Sequence, residues 1–140
     1  REAMVEADIV GGDNLGQYAV SSGAPGLTDG IRVSQFVRLD TAVPRVAKFV
    51  AACRAAGVEP DYAPAFAYDA VYLLRDAIAW GGYTRAGVKA YLDRLVSGQI
   101  RVDGVAGSFT LGPDHDARRS LDIAEIRNGD LHTVATVPIR

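Results

Sequence analysis

A long apolar segment in the middle of the chain constrains the fold more than any other feature. Residues Ala63 to Trp80 carry apolar side chains on nearly every side of a predicted helix. A helix that is apolar all round must be buried on several sides. We therefore expect Leu74 and Ile78 to be almost fully buried. Tyr68 and Tyr72, one helical turn apart, are expected to join the same core.

Two further helices are predicted around this segment. Pro44 stands in the first turn of one helix, which runs as far as Gly57. Thr84 caps the other helix, and Gly98 ends it. Apolar residues spaced three and four apart predict the buried stripe of the first helix: Val46, Phe49, Val50 and Cys53.

The first third of the chain alternates strands and helices. Asp8 to Val10 is predicted as a short strand, and Asn14 to Ser22 as a short helix. The segment Gly30 to Val37 alternates with a period of two, as a half-buried strand does. Strands that alternate with helices predict a parallel sheet covered by helices, and therefore an α/β fold.

The last forty residues return to strands. Val105 to Leu111 is predicted as one strand, and Ser120 to Arg127 as the next. Asn128 and Gly129 together are a strong hairpin signal, and Leu131 to Val137 is the strand that follows them.

Composition and motifs exclude several classes of function. A net charge of −2 leaves no basic surface for nucleic acid, and no apolar run reaches the roughly 18 residues of a membrane span. The three adjacent residues Asp114, His115 and Asp116 cannot all direct their side chains to one metal ion. His132 does not lie at a recognised metal-ligand spacing. The serines lack a nucleophile elbow. We predict no catalytic residue, no metal site and no cofactor.

The loop Gly11 to Gly16 is the best candidate for a binding segment. It joins the end of a predicted strand to the start of a helix, which is where ligands bind in open parallel sheets. A phosphate loop is excluded, because the Gly-Lys-Ser/Thr ending is absent and Asp13 would repel phosphate. The Asp13 carboxylate suits a cation, such as a ligand ammonium group. The alternative is that Asp13 only caps the helix.

Two motifs and their order carry a family resemblance. The first motif is Tyr-Asp-Ala, which opens the segment Tyr68 to Leu74. The second is the segment Gly104 to Leu111, which reads Gly-Val-Ala-Gly-Ser-Phe-Thr-Leu. A predicted strand pair follows, with its turn at Asn128-Gly129-Asp130. This order resembles the C-terminal portion of the branched-chain amino-acid (Leu/Ile/Val)-binding family, the periplasmic substrate-binding proteins of ABC transporters. The resemblance runs from Arg1 to about Val134. It implies part of a type I periplasmic-binding fold, with two Rossmann-like lobes joined by hinge crossings.

The resemblance also implies a domain organisation and a site. Residues 1–39 would belong to the C-terminal lobe, residues 40–117 to the N-terminal lobe, and residues 118–140 would return to the C-terminal lobe. Asp13 matches the family's acidic position for an α-ammonium group, with Asn14 beside it, and Tyr62 and Ala63 match a ligand-facing position in the other lobe. The family has a longer glutamate where Asp13 stands.

The function that the resemblance implies is solute capture without chemistry. Such a protein is periplasmic or extracytoplasmic, holds an amino acid or related small molecule between its lobes, and delivers it to a membrane permease of an ABC importer. The chain would be a fragment whose remainder lies upstream. The alternatives are a ligand-sensing domain of the same fold in a receptor or regulator, and a small α/β enzyme.

Overall fold

The structure is a computed structural model that describes residues 7–16 and 26–138. The predicted helix over residues 14–22 begins at residue 13, and its part from residue 17 onward lies outside the described residues. In chain order the elements are β1 (Val10–Gly11), a helical turn over residues 13–16, β2 (Arg32–Gln35), α1 (Pro44–Ala55), α2 (Tyr62–Gly81), α3 (Arg85–Val96), β3 (Val102–Gly104), β4 (Gly107–Leu111), β5 (Ala117–Arg118), β6 (Leu121–Arg127) and β7 (Asp130–Val137).

The chain divides into two compact units. The first combines Arg1–Phe36 with Ser120–Arg140, and the second is Val37–Arg119. The chain therefore crosses between the units twice, after Phe36 and after Arg119. The assignment of each unit to a lobe of a larger protein stays a prediction.

A four-stranded sheet organises the first unit, in the order β1-β2-β6-β7. β1 and β2 are parallel, as predicted, whereas β6 and β7 run antiparallel to their neighbours. The sheet buries Val33, Ala124 and Ile126, each with at most 1% of its surface exposed. The predicted hairpin is confirmed, since Asn128 (φ 52°) and Gly129 (φ 83°) form the turn from β6 to β7. Positive φ at both residues is what this type of turn requires.

The core of the second unit forms around α1. Its predicted stripe of Val46, Phe49, Val50 and Cys53 is confirmed as buried. Proline in the first turn starts the helix, and the chain leaves it at Gly57 with a φ of 70°. The stripe packs with Ala65, Val105 and Ala106 into one hydrophobic cluster.

The predicted strand from Val105 to Leu111 is a turn followed by β4, and β3 precedes it. β3 and β4 pair antiparallel, with Gly104 opposite Gly107, so Val105 and Ala106 form the turn between them. The prediction of a single strand from Val105 to Leu111 was wrong at its start, because these two apolar residues point into the core beside α1 and not along a ladder. β5 completes a three-stranded sheet with β3 and β4.

The predicted burial of α2 was also wrong. Leu74 is 50% exposed and Ile78 is only partly buried. Tyr68 and Tyr72 are exposed too, with their rings stacked 4.5 Å apart. The buried residues of α2 are Ala65, Asp69 and Ala77. The physical reason for the exposure is that the described part of the chain packs against only one side of α2. The opposite side is equally apolar but is exposed.

A close contact between glycines joins α2 to α3. A Cβ atom added to Gly87 would overlap the carbonyl group of Gly81 at the end of α2. Thr84 caps α3 as predicted, because its hydroxyl oxygen accepts a hydrogen bond of 3.0 Å from the Gly87 N–H. The two helices therefore meet backbone to backbone at this point.

Gly87→Ala is expected to lower the free energy of unfolding by about 1–3 kcal/mol, because the added methyl group has no space unless α2 and α3 move apart. Chemical denaturation followed by circular dichroism measures the change. Gly12→Ala is a suitable control, since a Cβ there meets nothing within 4 Å. Equal stability of the two variants would contradict the predicted crowding.

Candidate functional site

The first candidate segment lies where β1 ends. Gly12 follows β1, and Asp13 is the first residue of the helical turn, in which the Leu15 N–H donates to the Gly12 carbonyl oxygen at 3.1 Å. Asp13 thus lies inside the first turn, and Gly12 takes the position of a helix cap. Asp13 is partly buried and Asn14 is exposed. A carboxylate in this place lies beside the positive end of the helical backbone, and its exposed part is available to a cationic group.

Packing explains the first glycine of this loop. A Cβ atom on Gly11 would overlap the side chain of Leu15, which packs against the core of the first unit. Glycine therefore lets the helical turn fold back closely onto β1. Packing alone accounts for the glycine at this position.

The second candidate segment starts α2. Asp61 caps this helix, with its carboxylate accepting a hydrogen bond of 2.8 Å from the Ala63 N–H. Tyr62 is the first helical residue and is partly exposed, and its ring lies 6.1 Å from that of Phe66. Ala63 is exposed. The cap and the ring contact hold Tyr62 at the start of the helix, with part of its surface open.

Asp69 is a buried residue whose role the sequence analysis missed. It is 5% exposed, and its two carboxylate oxygens accept hydrogen bonds from the N–H groups of Val105 (2.8 Å) and Ala106 (2.9 Å). A Cβ atom on Gly104 would overlap this carboxylate. The Tyr-Asp-Ala motif and the Gly-Val-x-Gly motif thus meet in one contact. The sequence signal was an aspartate in an otherwise apolar stretch of helix.

Arg119 holds the same turn from its other side. Its Nη2 donates to the carbonyl oxygen of Ala106, and its guanidinium lies 5.2 Å from the centre of the Phe66 ring. Arg119 is the last residue of the second unit. Arg119 is partly buried and anchors the chain where it leaves the unit.

The polar turn after β4 is held by an ion pair. Asp114 lies 2.5 Å from Arg118, and the hydrogen bond from Arg118 holds the pKa of this carboxyl below its usual value. Across residues 7–16 and 26–138, no group of three or more His, Cys, Asp or Glu residues is placed to hold a metal ion. Among these residues no helix has the length and apolar character needed to span a membrane.

The predicted site residues thus fall into two pairs. Asp13 and Asn14 lie together in the first unit, and Tyr62 and Ala63 lie together in the second. Each pair lies at the beginning of a helix, with side-chain surface open to solvent. That both pairs contact one ligand stays a prediction.

Comparison with known proteins finds similarity in structure. No protein-family model and no curated protein sequence matches the chain. Among solved structures, it is similar to a leucine-binding protein LivK from Thermotoga maritima, with a TM-score of 0.76 and 23% identity over 99% of this chain and 39% of that one. It is also similar to the branched-chain amino acid transporter substrate-binding protein LivJ from Streptococcus pneumoniae in complex with isoleucine, with a TM-score of 0.71 and 21% identity over 98% of this chain and 38% of that one.

A third match binds a different compound. It is the solute-binding protein of an ABC transporter from R. palustris in complex with benzoate, with a TM-score of 0.67 and 19% identity over 88% of this chain and 34% of that one. The chain spans well under half the length of these proteins. The matches show that it has the α/β fold of part of a type I periplasmic-binding protein, which confirms the predicted fold class and the predicted resemblance.

Proposed function

We propose that the chain is part of the solute-binding protein of an ABC importer and acts outside the cytoplasm. The observation that carries this proposal is the structural match over 99% of the chain to a leucine-binding protein. In this proposal the first unit belongs to the C-terminal lobe and the second unit to the N-terminal lobe. The protein performs no reaction, and its function is to bind a solute and present it to a membrane permease.

The two units supply a physical basis for such a mechanism. The chain crosses between them twice, and each unit has its own buried core. A ligand that contacts both lobes favours a closed state over an open one, by the difference in its affinity for the two. Domain closure of this kind is a common switch in binding proteins, and the permease would recognise the closed state.

The proposed ligand is an amino acid or a related small molecule. Asp13 would accept hydrogen bonds from the ligand ammonium group, with Asn14 beside it. Tyr62 would supply an aromatic surface from the other lobe, at the start of α2. The benzoate complex of a similar protein illustrates that the same fold also accepts a ligand without an amine.

Isothermal titration calorimetry of the full-length protein tests this function. Leucine, isoleucine and benzoate are titrated separately, because they differ in the amine and in the shape of the apolar group. We expect saturable binding of an amino acid and no binding of benzoate. Benzoate binding alone would overturn the amino-acid assignment, and binding of none of the three would count against the substrate class.

A second measurement tests the importer role. The liganded protein is added to the permease and ATPase of the proposed importer, reconstituted in vesicles. Ligand-dependent stimulation of ATP hydrolysis is expected. Solute binding without any such stimulation would instead favour the ligand-sensing alternative.

A further inference from the structure

Phe66 contacts two side chains that lie far apart in the sequence. It follows Tyr62 by one helical turn on the same side of α2, and the centres of the two rings are 6.1 Å apart. The guanidinium of Arg119 lies 5.2 Å from the centre of the Phe66 ring. The three side chains therefore form a chain of contacts that runs from the end of the second unit to the start of α2.

The Arg119 end of this chain is anchored in the core. Its Nη2 donates to the carbonyl oxygen of Ala106, and the N–H of Ala106 donates to the Asp69 carboxylate at 2.9 Å. Ala106 and Asp69 are both buried. Asp69 lies three residues after Phe66 on α2, so the contacts form a closed loop that begins and ends on this helix. The guanidinium is thus held in place from the buried side of the unit.

The aromatic end of the chain is less constrained. Phe66 is 38% exposed, and Tyr62 is partly exposed at the first position of the helix. An aromatic ring at such a position has more than one staggered rotamer open to it. A cation above the ring face favours the rotamer that keeps this contact. The orientation of Phe66, and with it the surface against which Tyr62 packs, therefore depends on Arg119.

We propose that Arg119 is a positioning residue for the binding site, which holds the Tyr62 ring in its ligand-facing orientation through Phe66. The ligand-facing role of Tyr62 is itself part of the proposed function, and the inference rests on it to that extent. Arg119 does not contact the ligand in this proposal. A ring that is ordered before the ligand arrives loses less conformational freedom on binding, so the affinity is higher.

Calorimetry on the full-length protein tests the effect on affinity, with leucine, isoleucine or benzoate as the probe, whichever binds the parent. Arg119→Met keeps an unbranched side chain of similar length and removes the guanidinium. We expect it to weaken binding by about three- to thirty-fold, the range of one cation–π contact. Arg118→Met is the matched control, because Arg118 pairs with Asp114 in the polar turn. We expect it to leave affinity unchanged, and equal effects of the two substitutions would overturn the inference.

A double-mutant cycle with Tyr62→Ala separates positioning from a general loss of structure. If Arg119 acts through the Tyr62 ring, Arg119→Met has no further effect on affinity once that ring is absent. A loss of the same size in both backgrounds would show that Arg119 acts by another route, and would overturn the inference.

The orientation of Tyr62 is also measured without any ligand. The protein is labelled with fluorotyrosine, and the fluorine resonance of Tyr62 is identified by its absence in Tyr62→Phe. We expect this resonance to shift in Arg119→Met and to stay in place in Arg118→Met. An unchanged resonance in Arg119→Met would overturn the inference.

The fluorine measurement keeps the two proposals distinguishable. If none of the three probes binds, the proposed function fails, and the resonance of Tyr62 alone still decides whether Arg119 positions the ring. Arg119→Lys replaces Arg119→Met in both experiments if the methionine variant does not fold. Lysine keeps the charge but lacks the planar group that can stack on Phe66 while donating to Ala106, so the same changes are expected in a smaller size.

Discussion

Asp69→Ala is expected to lower the free energy of unfolding of the second unit by about 2–5 kcal/mol. The substitution leaves the buried N–H groups of Val105 and Ala106 without their acceptor, and each unsatisfied buried donor costs about 1–3 kcal/mol. The turn between β3 and β4 then loses its attachment to α2. Denaturation by urea measures the overall effect, and hydrogen exchange at the two amides measures the local one.

Asp76→Ala is the matched control for this prediction. Asp76 is on the same helix, but its side chain is 48% exposed and its partner is the neighbouring Arg75. An exposed ion pair contributes little, so we expect a change of no more than about 0.5 kcal/mol. Similar losses in both variants, or unchanged exchange at Val105 and Ala106 after Asp69→Ala, would contradict a specific role for the buried carboxylate.

Asp13→Asn is expected to weaken binding of an amino-acid ligand by about thirty-fold to several thousand-fold. Removing one partner of a largely desolvated charge pair costs about 2–5 kcal/mol, and each 1.4 kcal/mol is about tenfold in affinity. Asparagine keeps the size of the side chain and removes its charge. Calorimetry on the full-length protein gives the dissociation constant for the variant and the parent.

A matched substitution isolates the effect of position. Asp8→Asn removes the same charge from an exposed residue ahead of β1, and we expect it to leave affinity unchanged. Both variants should keep the melting temperature of the parent, because neither residue belongs to the buried core of the first unit. An unchanged affinity in Asp13→Asn would mean that this carboxylate does not contact the ligand, and would direct attention to ligands without an amine.

Local signals in the sequence predicted much of the fold. The spacing of Val46, Phe49, Val50 and Cys53 identified the buried side of α1, and Asn128-Gly129 identified the β6–β7 hairpin. Both depend on chemistry within a few residues: helical periodicity in one case, and a backbone with positive φ in the other. The Thr84 cap of α3 is predictable for the same reason.

Contacts between distant residues were not predictable in this way. The Asp69 carboxylate accepts a hydrogen bond from Val105, which lies 36 residues later in the chain. No pattern within either segment predicts that these two residues are in contact. The start of β4 was misplaced for the same reason, since the core beside α1 takes Val105 and Ala106 out of the strand. The apolar character of α2 predicted burial on several sides, whereas only Ala65, Asp69 and Ala77 of this helix are buried in the structure.

The candidate site was predictable only in part. The position of Asp13 after a strand follows from the order of elements, and the structure places it there. A pairing of Asp13 with Tyr62 across two units rests on the resemblance alone, because no pattern in the sequence relates these segments.

The division of the first unit between two stretches of chain has a consequence for the order of folding during synthesis. β2 pairs with β6, so Arg32 lies opposite Glu125, and the whole second unit is made between them. The ribosome therefore releases a continuous second unit before the partner of β2 exists, and closing so long a loop is slow relative to local contacts. Until β6 and β7 emerge, β2 has an unpaired edge, which is open to pairing with another chain.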